Sequence, residues 1–289
     1  MTMDANSFYN RAFSRNRGLI NKKEQQKLKN TRVAIPGMGG MGGVHAATLA
    51  RTGIGKFTIA DFDQFDVHNI NRQYGAMAST VGQDKAQVMA NIINDINPSA
   101  DVTVINEAVS AENVDDFLAD VDVMIDALDV FVIDARRMLY QQARVRGIPV
   151  ISAGPIGFSA VVNVFSPTGM DFDSFFGLND SMSEKEMMTA FFAGIPLGPH
   201  MKYMNVKGVD PESGAAPSLS LACQMGAGMA TTEVVRYVLG RSKLKSVPWF
   251  MQFDPYARYY KCHYRWLGGM NPIFKLKKRI IKKMIPRLA

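Results

Sequence analysis

The stretch from Gly37 to Lys85 concentrates the residue types that handle phosphate. In "RVAIPGMGGMGGVHAATLA", Gly37, Gly39, Gly40 and Gly42 give the spacing GxGGxG. Glycine lets the backbone turn tightly and approach a phosphate, and a following helix offers free N–H groups and the positive end of its dipole. Next, "DFDQFDVHNINRQYGAMASTVGQDKAQ" supplies Asp61, Asp63, Asn69, Arg72, Gln73 and Lys85, and "VDVMIDALD" ends on Asp129.

Two chemistries compete for that loop. An NAD- or FAD-binding turn needs one acid after the second strand to hold a ribose, and Asp61 could serve. Such a cofactor has no use for an arginine, a lysine and two aspartates around its phosphates. Nucleotidyl transfer does: cations stabilise charge building on the α-phosphate and on departing pyrophosphate, and a carboxylate holds magnesium. These residues favour ATP and magnesium.

The elements around them must place them together. Arg32 to Pro36 reads as a strand, Val44 to Thr52 as a helix and "KFTIADFD" as a second strand. A helix is expected over Lys85 to Ile96, stopping before Pro98. "DVTVINEAV", "VDVMIDALD" and "IPVISAGP" supply three more strands, with helical spacing from Ile133 to Gly147. This βαβα alternation predicts an α/β fold: a Rossmann-like, mostly parallel sheet flanked by helices. "SAVVNVFSP" reads as a further strand, and "PWFMQFDPYARYYKCHYRW" as two strands joined by the turn "DPYA", a mixed, antiparallel C-terminal extension. Residues 168–216 look like an irregular insertion with a short helix near Ser183 to Phe192. "SLSLACQMGAGMATTEVVRYVLG" reads as a helix rich in small residues. The expected organisation is a helical arm over 1–30, with Asn21 and Glu24 as a capping box, a main domain over 31–270, and a tail over 271–289.

Composition narrows the class. Apolar residues make up 47% of 289, ordinary for a soluble globular protein. Two cysteines, Cys223 and Cys262, form neither a CxxC pair nor a disulfide framework, so the chain reads as intracellular and cytoplasmic. No apolar signal-peptide core or spanning run is evident. The net charge of +7 sits in the tail: Lys275, Lys277, Lys278, Arg279, Lys282, Lys283 and Arg287, with no acid. The other 26 Lys and Arg equal the 26 Asp and Glu, so a general nucleic-acid binder is not indicated.

The combined pattern GxGGxG…DxDxxxxxNxxRQ…VGxxKA…DxxD resembles the ThiF/MoeB/HesA adenylyltransferases, bacterial relatives of ubiquitin-activating enzymes. The resemblance runs from about Phe13 to about Gly240, and more loosely to Arg265. It implies that Asp61 holds the ATP ribose, that Asn69, Arg72 and Lys85 contact phosphates, and that Asp129 sits by magnesium and the carboxylate being activated. Asp63 either joins the nucleotide site or caps a turn. The family is a homodimer in which an N-terminal arginine enters the partner's ATP site; "FSRNRGL" nominates Arg15, with Arg11 as second choice. The implied reaction turns a carboxylate into an acyl-adenylate with release of pyrophosphate. Its usual substrate is the C-terminus of a ubiquitin-like or sulfur-carrier protein, or a peptide. A tRNA-linked carboxylate is the alternative substrate, and a non-catalytic nucleotide-binding scaffold the alternative role.

Three departures from the family's pattern matter. The chain lacks the two CxxC pairs of many members, so no structural zinc is expected. Cys223 lies in the predicted helix rather than in a loop before it, and Cys262 among strand aromatics, so both read as packing residues rather than thioester formers. Pro36 precedes Gly37 and removes one N–H, which a strand end tolerates. His45 reads as packing on the first helix, and His68 as a neighbour of the phosphates. The tail, "NPIFKLKKRIIKKMIPRLA", places Ile273, Phe274, Ile280, Ile281, Met284, Ile285 and Leu288 on one face of a basic amphipathic helix. Such a helix suits an anionic membrane, an acidic partner or tRNA backbone, or packs on its own dimer.

Overall fold

The computed structural model describes residues 4–204 and 217–284. Its centre is a sheet in which the first five strands are parallel and the last three antiparallel. The strands are β1 (Arg32–Pro36), β2 (Lys56–Ala60), β3 (Asp101–Ile105), β4 (Val123–Asp126), β5 (Val150–Ile156), β6 (Ser159–Phe165), β7 (Trp249–Asp254) and β8 (Tyr259–Tyr264). They lie in the order β3-β2-β1-β4-β5-β6-β7-β8. β1 is central, pairing with β2 (Ile35 opposite Ile59) and with β4 (Val33 opposite Val123). A central parallel strand is covered on both faces, which is why "VAIP" is buried throughout.

Helices cover both faces. On one lie α2 (Lys22–Asn30), α3 (Gly42–Thr52), α4 (Lys85–Ile96) and α10 (Ser220–Leu239), whose Leu28, Leu49, Met89 and Ala230 pack with Val33, Ile35, Phe57 and Ile125. On the other lie α5 (Val114–Phe117), α6 (Ile133–Val145), α7 (Phe172–Phe176) and α8 (Glu184–Gly194), packing through Phe117, Leu139, Phe175 and Met188. The small residues of α10 allow close approach: a Cβ on Gly226 would stand 2.9 Å from the Met41 side chain.

The arm is α1 (Ala5–Ala12), capped by Asp4, a 3-10 turn at Ser14–Asn16, and α2 with the Asn21–Glu24 capping box. It is pinned to the C-terminal end of α3: the Tyr9 hydroxyl donates to the Gly53 carbonyl, and Asn16 Nδ2 donates to the Thr52 carbonyl at 3.1 Å.

Several expected boundaries move. α3 starts at Gly42, two residues early, because the glycines enter the helix. β2 ends at Ala60 and β4 at Asp126, so Asp61, Asp63 and Asp129 all lie in loops beyond the strands. The described part of 168–216 is not irregular: it holds α7, α8 and α9 (His200–Tyr203). Phe172, Phe175 and Phe176 are buried there, and this aromatic anchor turns a short segment into a helix. The rest of that region, 205–216, lies outside the described residues.

The tail forms α11 (Pro272–Met284), with Asn271 Oδ1 accepting from the amides of Ile273 and Phe274. Its expected single apolar face is divided. Phe274 is buried and Ile281 half-buried, while Ile273 and Ile280 are exposed with Leu276. The docked side rests near the C-terminus of α8, where Arg265 donates to the Gly194 carbonyl and Lys277 to the Ile195 carbonyl. Cations there satisfy helix-end carbonyls and oppose the negative end of the dipole. Lys282 also pairs with Glu186 at 3.4 Å. The side chains of Lys283 and Met284, and residues Ile285 to Ala289, lie outside the described residues.

Candidate nucleotide-binding site

The glycine turn sits where β1 passes into α3. Gly37 has φ +91°, and a Cβ there would stand 2.6 Å from the Ala127 carbonyl oxygen. A Cβ on Gly42 would stand 1.7 Å from the Gly37 carbonyl oxygen. Neither position accepts a side chain without remaking the turn. Gly39 and Gly40 differ: the nearest atoms to a Cβ are Gln73 Nε2 at 3.6 Å and Cys223 Sγ at 3.4 Å. The outer glycines close the turn, and the inner pair keeps backbone uncovered where a phosphate would lie.

Asp61 follows β2 and faces this turn. Its Oδ2 accepts from the Met38 amide at 2.6 Å and its Oδ1 from the Asp63 amide at 2.9 Å. Burial pushes its carboxyl pKa up, while those two amides and the charge of Lys85 oppose the shift. Asp63 pairs with Lys85, Oδ2 to Nζ at 2.9 Å, and the Lys85 amide donates to the Asp63 carbonyl at the same distance. The Lys85 side chain is only 8% exposed, so its cation is held in place by the protein.

Asn69 is buried in a 3-10 turn, where its Oδ1 accepts from the Asp66 amide at 3.1 Å. That turn carries Arg72 to the glycine loop, with the Arg72 stem 3.5 Å from the Gly40 Cβ position. Its guanidinium is steadied by the His68 carbonyl at 3.1 Å and Asn71 Oδ1 at 2.9 Å. Asp129 is exposed in the loop after β4. Ala127 of the same loop touches the glycine turn; Asp129 lies two residues further on, its Oδ1 accepting from the Phe131 amide at 3.1 Å.

The structure therefore gathers the four glycines, Asp61, Asp63, Asn69, Arg72 and Lys85, with Asp129 on the adjoining loop. It does not bring in Arg15 or Arg11. Both are exposed on the arm, at the opposite end of α3, about 16 Å away for a helix of this length. His68 is exposed and pairs with Asp66 rather than with the site. Cys223 is buried against Gly40 with its thiol pKa pushed up by burial, a packing environment. Cys262 is half-buried on β8. Among the described residues, no three His, Cys, Asp or Glu side chains gather in a way that would hold a metal without a ligand's help. Magnesium that arrived bound to phosphates would need few protein ligands, and Asp129, with one oxygen taken by the Phe131 amide, is the exposed carboxylate on the adjoining loop that could serve.

Two features escaped the sequence reading. Asp126 is buried under the Asp129 loop, accepting from Arg136 Nε at 2.9 Å and from the Tyr140 hydroxyl at 2.8 Å. Arg136 also donates to the Leu128 and Asp129 carbonyls, at 2.8 and 3.0 Å, and so braces the loop that holds Asp129. The DxxD spacing contained this pair, but nothing in it marks the first acid as buried. The second feature is aromatic. Phe158 of the β5–β6 turn stacks on Tyr256 of the β7–β8 turn, centroids 4.7 Å apart, and Tyr203 of α9 closes the group. The Tyr203 hydroxyl donates to buried Asp254 at 2.6 Å. Strand direction puts this cluster at the same end of the sheet as the glycine turn. Its members are too far apart in sequence to form a motif.

Fold and site together define an α/β protein with a glycine turn at the carboxyl ends of its parallel strands, the end at which open α/β sheets bind nucleotides. The model of the ThiF family matches residues 13–263, and the chain belongs to that family. It is 39% identical over 142 residues to a tRNA threonylcarbamoyladenosine dehydratase of Bacillus subtilis (strain 168), covering 49% of this chain and 55% of that one. It is 30% identical over 142 residues to a molybdopterin-synthase adenylyltransferase of Escherichia coli (strain K12), covering 49% and 56%. The chain thus spans about half the length of the curated relatives it matches. Its fold is similar to the crystal structure of E. coli tRNA N6-threonylcarbamoyladenosine dehydratase in complex with AMP. That match has a TM-score of 0.62 and 23% identity, covering 83% of this chain and 98% of that one.

Proposed function

We propose that this protein is an ATP- and magnesium-dependent adenylyltransferase that activates a carboxylate as an acyl-adenylate. The observation that carries this reading is the convergence of one buried lysine, one arginine and a glycine turn whose Gly39–Gly40 pair carries no side chain on the same end of the sheet. In the proposed step a substrate carboxylate oxygen bonds to the α-phosphorus, the α–β phosphoanhydride bond breaks, and pyrophosphate leaves with that electron pair. Asp61 holds the ribose, Asn69 orients the phosphate-facing turn, and Arg72 and Lys85 neutralise charge on the phosphates. Asp63 fixes Lys85. Asp129 would hold magnesium, which supplies further charge neutralisation. Residues 31–270 make up the adenylating unit, between the arm and the tail.

The substrate class is the C-terminal carboxylate of a small carrier protein or a peptide. A tRNA-linked carboxylate is the second reading, favoured by the dehydratase relatives. The acyl group passes to an external nucleophile, since Cys223 is buried and its thiol is disfavoured as thiolate. We further propose a cytoplasmic homodimer in which Arg15 reaches across to the other subunit's phosphates. Two features support it: Arg15 is exposed far from its own site, and Tyr260 and Tyr264 expose apolar surface on the edge strand β8.

The test is calorimetry with ATP and magnesium against NAD, on wild type and Gly42→Ala. ATP binding that the variant loses is expected. Preference for NAD would sink the reading. ATP binding with no AMP formed from any carrier, peptide or tRNA substrate would leave a nucleotide-binding scaffold.

A further inference from the structure

The outer surface of α11 takes no part in the nucleotide site. Phe274, Ile281 and the stem of Lys277 turn toward the body, and Lys282 is tied to Glu186. That docking fixes which side of the helix looks outward. On that side Ile273, Leu276 and Ile280 are 74, 58 and 48% exposed. Their spacing of three and four residues sets them in one stripe. The segment leading into the helix adds exposed Trp266, Leu267 and Met270. Lys275, Arg279 and Lys282 are exposed along the same helix, and residues 271–289 contain seven basic residues and no acid.

We propose that α11 is a peripheral membrane anchor that lays its Ile273–Leu276–Ile280 stripe into an anionic lipid surface. Charge complementarity selects an anionic partner, since the rest of the chain is formally neutral and the excess is confined to this segment. The stripe then selects lipid over nucleic acid: RNA recognition uses phosphate contacts and flat aromatic or guanidinium faces, and leaves aliphatic side chains without a role. A bilayer uses both halves, aliphatic side chains at the acyl boundary and lysines among the headgroups, with a tryptophan at the interface. Among the described residues no helix is long and apolar enough to cross a membrane, so the contact lies on the surface. The inference does not depend on what the nucleotide site does.

The experiment is flotation of the full chain with phosphatidylcholine vesicles, and with vesicles that add about 30% phosphatidylglycerol to supply negative surface potential. Binding to the anionic vesicles only is expected, weakened as salt rises from about 0.1 to about 1 M and screening tightens from about 10 to about 3 Å. The triple variant Ile273→Gln, Leu276→Gln, Ile280→Gln should bind at least about tenfold more weakly, because the inserted apolar area is lost. All three positions are exposed, so its circular dichroism and ATP affinity should match wild type. Lys275→Gln with Arg279→Gln should weaken binding and its salt dependence together. The proposal is overturned if wild type ignores anionic vesicles at low salt. It is equally overturned if the triple variant binds them as wild type does, or if tRNA or an acidic peptide displaces the vesicles while binding both variants unchanged.

Discussion

His45 offers the clearest quantitative prediction, because the fold holds it neutral at a cost that depends on pH. It sits in the first turns of α3, with no exposed surface and neither ring nitrogen hydrogen-bonded. Burial drives its pKa down from 6.5 to about 3, against a weaker opposing pull from the Asp126 carboxylate. Below its unfolded pKa the unfolded chain takes up a proton that the folded protein refuses. The neutral imidazole's stability contribution is therefore intact above pH 6.5 and is lost as pH falls toward 3. At 1.36 kcal/mol for each pKa unit, the loss is about 2 kcal/mol at pH 5 and about 4 kcal/mol by pH 3. A domain of ordinary stability, about 5–15 kcal/mol, would feel this strongly. His45→Leu removes both the titration and two unpartnered polar atoms, which cost about 1–3 kcal/mol each when left unmade. The variant should match or exceed wild type at pH 7 and lose about 2 kcal/mol less between pH 7 and pH 5. Urea unfolding at the two pH values measures this, and other titrating groups cancel in the comparison. Equal acid losses in both proteins, or an NMR titration of His45 near 6.5, would show that burial does not hold this imidazole neutral.

Other expectations follow from the site and the tail. Gly42→Ala should abolish ATP binding, because its Cβ would collide with the Gly37 carbonyl at 1.7 Å; unchanged affinity by calorimetry would contradict the turn as drawn. Lys85→Met should lower adenylation at least about 100-fold, the scale for losing one preorganised donor to transition-state charge; a rate within a few-fold of wild type would remove Lys85 from the step. If Arg15 acts across a dimer, mixing inactive Arg15→Ala with inactive Asp129→Ala should restore activity at one site of each heterodimer, and absence of rescue would place Arg15 elsewhere. Lys277 has its pKa lowered from 10.5 to about 8, chiefly by burial and further by Arg265. Its ammonium therefore penalises folding below pH 8, and stability should rise between pH 8 and 10.5. Lys277→Met should flatten that rise in denaturation midpoints.

The parallel sheet was readable because each strand is a short apolar run between turn residues, and three of its four crossovers have helical spacing; the fourth holds only the four-residue α5. The glycine loop, Asp61, Arg72 and Lys85 were readable because their residue types are unusual in that order. Asp126 and Arg136 were not, since a buried ion pair and two surface charges look the same in sequence until packing is known. α7 is only five residues long, too short for periodicity to reveal. Its helix depends on Phe172, Phe175 and Phe176 finding Phe165 and Phe191. The tail's amphipathic character was legible, but a helical wheel does not say which apolar stripe the body takes. Phe274 fits beneath Arg265, its ring centroid 4.9 Å from the guanidinium carbon, and that contact leaves Ile273 and Leu276 outside.

Adenylation is read most directly by ATP–pyrophosphate exchange with magnesium, run with Gly-Gly carrier proteins, short peptides and tRNA bearing a nucleoside carboxylate. Asp129→Ala and Lys85→Met serve as controls. Exchange that requires a substrate carboxylate and disappears in both variants is the predicted result, and the substrate that supports it names the class. Tight ATP binding with no exchange from any of the three would mean that the protein binds the nucleotide without adenylating a carboxylate, and exchange that survives both substitutions would take Asp129 and Lys85 out of the step.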